Sequence, residues 1–263
     1  MVGGAGVSNE ARRRAAFAET VRGAFIGGTV RIITFPGVFQ PHSDSWLLAE
    51  QLREQTLPPR ASVLDLCTGS GVLAVCAAMR GARDVTAVDV SRRAVWSARI
   101  NARLNGTRIR GVRGDLFEAV GDRRFDAIVS NPPYVPAESD ELPARGPQRA
   151  WEAGLTGRLI LDRICDEAPR HLRPGGFVLL VHSSVCDPEQ TVERLRAGGL
   201  DTDVVARRRG PLGPLLTARV SALEARGLLA AGRREEEVLV IRGRRPLGRA
   251  DAAIPRAAAV TTA

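Results

Sequence analysis

Asn131-Pro132-Pro133-Tyr134 joins an amide, two residues that lack an N–H and one aromatic ring. Two successive prolines fix extended backbone and remove two donors, which leaves the Pro132 carbonyl free to face a ligand. The Asn131 side chain supplies a second acceptor beside it. A planar NH2 group can donate one hydrogen bond to each. Tyr134 offers a flat face on which the same group can stack, with Pro133 beside it.

A second set of residues suits a nucleoside. Asp65-Leu66-Cys67-Thr68-Gly69-Ser70-Gly71 reads as a glycine-rich turn from a strand into a helix. Glycines there let a ligand approach the backbone, and a helix start favours negative charge. The segment falls short of a full G-x-G-x-x-G and has no phosphate-binding lysine. Asp89 lies 20 residues after Gly69, where a nucleoside-binding α/β protein places a carboxylate against both ribose hydroxyls. Asp65, ahead of the glycines, would repel a pyrophosphate. It suits instead the ammonium and sulfonium of S-adenosylmethionine. Asp115 is placed for an adenine amino group.

Such residues need a scaffold that gathers them, and the pattern predicts one. Apolar runs over 61–66, 84–88, 108–113, 125–130, 177–182, 201–206 and 236–242 read as strands. Helical patterns fall near 9–24, around Trp46 to Leu52, and over 72–80, 91–104 and 156–171, with another opened by Pro188. Ser91 is suited to capping its helix. Strands alternating with helices predict a doubly wound, mostly parallel α/β sheet. Ligands bind such sheets at the carboxyl ends of the strands, where Asp65 to Gly71, Asp89, Asp115 and Asn131 all fall.

The 38 basic residues are all arginine, against 29 acids, for a net charge of +9. Residues 1–31 carry +3 and 238–263 carry +4, so 32–237 is left with only +2. That distribution argues against a phosphate-binding stripe in the middle of the chain. Four cysteines without a C-x-x-C pair point to a reducing compartment and away from a zinc site. The apolar runs are too short for a membrane span, and no apolar core follows Arg12-Arg13-Arg14, so a cytoplasmic location is expected. The expected division is an arm or helix over 1–30, a catalytic domain over 31–243 and a disordered tail over 244–263.

The set DLCTGSG, TAVDVS, GDLF and NPPY resembles class I S-adenosylmethionine-dependent methyltransferases that modify planar nitrogens. These are the HemK-like release-factor glutamine N5-methyltransferases and the N6-adenine methyltransferases. Gln40-Pro41-His42-Ser43-Asp44-Ser45 is similar to the HemK-like E-P-x-x-D-[ST] segment. Arg149 to Arg158 is similar to its A-W-x-G-G-x-x-G-R loop, with Gln40 in place of Glu and Ala153 in place of one Gly. Only 64 residues precede Asp65, which matches the short branch without a helical N-terminal domain.

The resemblance implies a Rossmann-like seven-stranded methyltransferase sheet and S-adenosylmethionine as cofactor. It implies that Ser45, Asp65, Gly69, Gly71, Asp89, Val90, Asp115, Leu116 and Asn131 hold the cofactor. Asn131, Pro132 and Tyr134 would be catalytic, with Pro133 and Trp151 joining them at the acceptor. The implied acceptor is a protein glutamine, in a release factor. Adenine in DNA or RNA, a lysine, a small molecule and a non-catalytic cofactor-binding role are the alternatives. Relatives in the short branch work with a small zinc-binding activator subunit, which the resemblance extends to this chain. No histidine stands out as a base, although His42 and His182 are available.

Overall fold

The computed structural model describes residues 19–25 and 28–248. A hairpin of β1 (Glu19–Phe25) and β2 (Gly28–Thr34) leads into α1 (Ser43–Glu54). The alternating part follows, with β3 (Ser62–Leu66), α2 (Val72–Met79), β4 (Asp84–Asp89), α3 (Arg92–Leu104), β5 (Arg110–Arg113) and β6 (Phe125–Ser130). Then come α4 (Leu159–His171), β7 (Leu172–Ser183), α5 (Pro188–Ala197) and β8 (Asp201–Pro211). Two short helices, α6 (Pro214–Thr217) and α7 (Val220–Ala225), precede β9 (Glu235–Arg244).

Seven strands form one sheet in the order β5-β4-β3-β6-β7-β9-β8. β3 pairs in parallel with β4 and β6, and the parallel register continues to β5 on one side and β7 on the other. β9 alone runs against its neighbours β7 and β8. This is a seven-stranded, largely parallel Rossmann-like α/β sheet of the class I methyltransferase kind. β3 is buried along its whole length because helices cover both faces, so its sequence is a run and not an alternation.

One apolar core lies under α1, α2, α3 and the hairpin, and includes Val30, Leu48, Val63 and Val129. The other lies under α4 and α5 and includes Leu64, Phe117, Ile128 and Ile164. Burying each such side chain contributes about 1.5–3 kcal/mol. α2 has no charged residue, because it is wedged between the sheet and its two neighbouring helices. Ser91 caps α3 as expected, its Oγ accepting from the Ala94 N–H at 3.4 Å.

The helix expected near 9–24 is corrected over its described part, since Glu19–Phe25 is a strand. β2 shows why: Val30 and Ile32 are buried while Thr29 and Arg31 are exposed, a period of two that its partner strand must match. β2 also runs through the boundary drawn between residues 30 and 31. Residues 1–18 and 249–263, which hold most of the expected arm and tail, lie outside the described residues.

A third apolar cluster sits over the carboxyl end of the sheet. Residues 212–234 connect β8 to β9 there and bury Leu212, Leu216, Leu223 and Leu229 against Val135 and Val185.

Candidate active site

A cavity of about 450 Å³ opens at the carboxyl ends of β3, β4, β5 and β6. Gly69, Asp89, Val90, Asp115, Leu116, Asn131 and Pro133 line it. Ser45, Asp65, Gly71, Pro132, Tyr134 and Trp151 do not, and each has a different place in the structure.

β4 delivers Asp89 to the cavity wall. Its Oδ2 accepts from the Gly69 N–H at 3.0 Å and its Oδ1 from the Ser91 N–H at 2.8 Å. The carboxylate is thereby oriented, and each oxygen keeps a further lone pair for a ligand hydroxyl. Burial raises its pKa above the ordinary value, while the two N–H groups and the Arg149 charge hold it down. Asp115, after β5, accepts from Arg163 Nη2 at 2.8 Å in a half-exposed ion pair. Leu116 follows at φ 43°, a left-handed conformation that costs a leucine about 1–2 kcal/mol and turns its side chain into the wall.

Asp65 is sealed beneath the glycine turn. Its Oδ2 accepts from Thr68 Oγ1 at 2.5 Å and from the Ala74 N–H at 3.1 Å. Its Oδ1 is buried without a hydrogen-bond partner. Burial pushes its pKa up to about 7, against the lowering effect of those two donors. Gly71, at φ 84°, faces α3, where an added Cβ would come within 2.6 Å of Ala98. Close packing of α2 on α3 accounts for that glycine.

Asn131 follows β6 and meets the start of α1. Its Nδ2 donates to Asp44 Oδ2 at 3.0 Å and to Ser45 Oγ at 2.9 Å. A carboxylate only accepts, so the amide nitrogen must face Asp44 and the amide oxygen is left for the cavity side. Tyr134 Oη donates to the same Asp44 oxygen at 2.9 Å. Burial and the Asp44 charge raise the Tyr134 pKa well above its usual value, so the phenol keeps its proton. Asp44 is the functional residue that the motif reading passed over, although it stands in the Gln40 to Ser45 segment.

The backbone after Tyr134 is clamped from the other side. The Cys186 thiol donates to the Tyr134 carbonyl at 2.9 Å, and Gly157 lies so close that a Cβ would collide with that same oxygen. Arg158 is buried and donates to the Cys186 and Asp187 carbonyls, to Asp162 Oδ1 at 2.7 Å and to Thr191 Oγ1 at 3.1 Å. His182 is fully buried, with Nε2 3.0 Å from Thr191 Oγ1, and burial pushes its pKa down to about 4. Trp151 packs against the cluster under residues 212–234, its Nε1 buried without a partner.

The donor set fits a zwitterionic nucleoside. Asp89, Asp115 and Glu152 share the cavity wall with Arg93, Arg149 and Arg163, so neither sign of charge dominates. Among the described residues, no group of three His, Cys, Asp or Glu side chains forms a metal site. No described helix is long and apolar enough to cross a membrane.

Comparison with known proteins places this geometry. Residues 29–144 match the Methyltransferase small domain family. A Methanocaldococcus jannaschii protein, provisionally named a protein N5-glutamine methyltransferase, is 34% identical over 71% of this chain and 93% of its own length. The chain belongs to the HemK family of glutamine N5-methyltransferases. Members of this family are class I S-adenosylmethionine-dependent methyltransferases. A release factor glutamine methyltransferase of Geobacter sulfurreducens is 36% identical over 56% of this chain, which spans 54% of that relative. A solved complex of E. cuniculi, Mtq2-Trm112, described as methylating the eRF1 translation termination factor, has a chain 25% identical to this one. The two superimpose with a TM-score of 0.53 over 80% of this chain and 99% of that one.

Proposed function

We propose that this HemK-family chain transfers a methyl group from S-adenosylmethionine to the side-chain amide nitrogen of a protein glutamine, in a peptide-chain release factor. The observation that carries the reading is the Asn131 amide, whose nitrogen is committed to Asp44 and Ser45 so that its oxygen is presented as an acceptor. The printed activities of the bacterial relative and of the E. cuniculi complex support the choice of acceptor.

Asp89 would hold the ribose, Asp115 and Leu116 the adenine, and Gly69 the methionyl part, with Asp65 bracing the glycine turn from below. S-adenosylmethionine supplies an electrophilic methyl group when bound. The chain's own task is to aim a poor nucleophile, because an amide lone pair is delocalised into its carbonyl. Asn131 Oδ1 accepts one N–H bond of the glutamine amide and, with the buried Pro132 holding the backbone extended behind the cavity wall, fixes the plane of the group. The glutamine nitrogen would release one amide proton to solvent as it gains the methyl group that the bound cofactor would supply. Positioning of this kind can supply about 7–11 kcal/mol of the barrier reduction. Among the described residues no histidine lines the cavity, and Tyr134 holds its proton, so the role assigned to these residues is orientation.

A cytoplasmic location follows from that acceptor. A small zinc-binding activator subunit rests on the family resemblance and on the two-protein composition of the E. cuniculi complex; co-purification with labelled zinc is its test.

The test of function is methyl transfer from labelled cofactor to purified release factors, DNA and tRNA. Label is expected in a Gly-Gly-Gln glutamine. Label in adenine instead overturns the reading. Asn131→Ala should abolish transfer with cofactor affinity kept, and Asp89→Ala should weaken cofactor binding first.

A further inference from the structure

Between Asp89 and Asp115 the chain has seven arginines and no carboxylate. The fold turns Arg93 to the cavity wall and brings much of the remaining segment to one outer face. Arg92, Trp96, Arg99 and Arg103 recur at helical spacing along the exposed side of α3. Arg110 and Arg113 are exposed on β5, which is the edge strand of the sheet. The pieces are stitched together. Arg99 Nη2 donates to the Gly111 carbonyl at 2.6 Å, and Arg113 Nε to the Val90 carbonyl at 3.2 Å. Asn105 pairs with the backbone of Arg31, at 2.9 Å and 2.7 Å, and brings an eighth arginine to the same face.

No ion pair involves any of these eight among the described residues, whereas twelve arginines elsewhere are paired with carboxylates. The two flanking acids face elsewhere: Asp89 is turned into the cavity, and Asp115, also on the cavity wall, binds Arg163. A large aromatic surface lies within the arginine line. Trp96 is 55% exposed, and its ring leans on Phe35 with centroids 4.8 Å apart.

We propose that this face of α3 and β5 binds single-stranded RNA. Guanidiniums free of carboxylate partners suit backbone phosphates, and an exposed tryptophan braced by the half-buried Phe35 suits a splayed base. An acidic protein surface would satisfy the arginines but would leave Trp96 uncovered by anything its chemistry selects. The choice of RNA over DNA rests on the proposed translation-factor acceptor; the charge and ring geometry do not. RNA here is a docking partner and not the methyl acceptor.

Anisotropy of a fluorescein-labelled RNA of about 16 nucleotides, titrated with the full chain between about 50 and 200 mM salt, tests this. Arg92→Gln/Arg103→Gln/Arg110→Gln removes three arginines with no other described partner. It should weaken binding at least about tenfold and make the log–log salt slope shallower by about two, at roughly 0.7 per phosphate. Trp96→Ala should weaken binding with the slope unchanged. Arg207→Gln/Arg209→Gln, at ion-paired positions on β8, should change neither.

Equal affinity of wild type and triple variant overturns the proposal. So does tighter binding to DNA of the same sequence, or self-association of the triple variant at unchanged RNA affinity, which would make the arginines guards of an open strand edge. Methylation of a Gly-Gly-Gln peptide by the triple variant, measured alongside, should stay at wild-type level. Its failure in the wild type would sink the acceptor and leave the measured RNA contact standing.

Discussion

Asp44 shows how one carboxylate can set the direction of two other side chains. It receives Asn131 Nδ2 and Tyr134 Oη on a single oxygen, and the Ser45 N–H at 2.6 Å on the other. Hydrogen bonds to a charged group are worth about 1.5–3 kcal/mol each. Asp44→Ala frees the Asn131 amide to turn over and present a donor where an acceptor is needed. The expected outcome is a fall in kcat of about ten- to hundredfold with cofactor affinity unchanged, read by steady-state kinetics beside calorimetry. The sequence showed the Asn131 to Tyr134 tetrapeptide and the acids because strand ends announce them. It did not show that Asp44 governs Asn131, since 87 residues separate the two and only the fold closes that distance. Trp151, which the family-like loop suggested for the acceptor, packs against the cluster of residues 212–234 beside Val135.

At the scale of elements, the segment after β6 is held between two others. Val135 receives the Ala153 N–H at 3.1 Å and donates to the Trp151 carbonyl at 2.7 Å, which ties the Pro-rich segment to the loop before α4. Gly157 lies at the closest point, at φ 74° and against the Tyr134 carbonyl. Gly157→Ala adds left-handed strain and a collision that only movement of Tyr134 relieves. We expect a loss of at least about 2 kcal/mol in stability and a larger loss in kcat than in cofactor affinity, measured by urea titration and by turnover. The central strands were legible because burial on both faces leaves an uninterrupted apolar run. The first hairpin was not: Arg, Gly and Ala around residues 19–25 resemble a helix until the alternation in β2 is seen to fix their partner. The helices of 212–234 escaped for a related reason, being too short to show a period.

For the molecule as a whole, charge has to be located before it is summed. A net +2 over residues 32–237 hid a stretch of seven arginines, because acids elsewhere cancel it in the total and not in space. Buried charge raises a separate question of stability. Asp65 titrates near 7 in the fold and near 3.8 in an unfolded chain. The folded state therefore holds a proton that the unfolded chain has already lost across that interval. The stability this proton confers is complete below about pH 4 and disappears as pH rises through about 7. Asp65→Asn removes the dependence. Its advantage in unfolding free energy over the wild type should grow from pH 5 to pH 7 and level off above, reaching about 2–4 kcal/mol by denaturant titration. An advantage that is flat with pH would mean that Asp65 is ionised throughout.

The reversed last strand has a consequence of its own. Because β9 runs against both neighbours, β8 points the same way as the parallel strands, and the connection from Pro211 to Glu235 emerges beside the cavity. Residues inserted there sit over Val135 and Trp151, beside the proposed acceptor segment, while every strand end that lines the nucleoside pocket is left as it was. The β8–β9 connection is thus a place where evolution, or an engineer, can rewrite what is methylated without renegotiating what donates the methyl group.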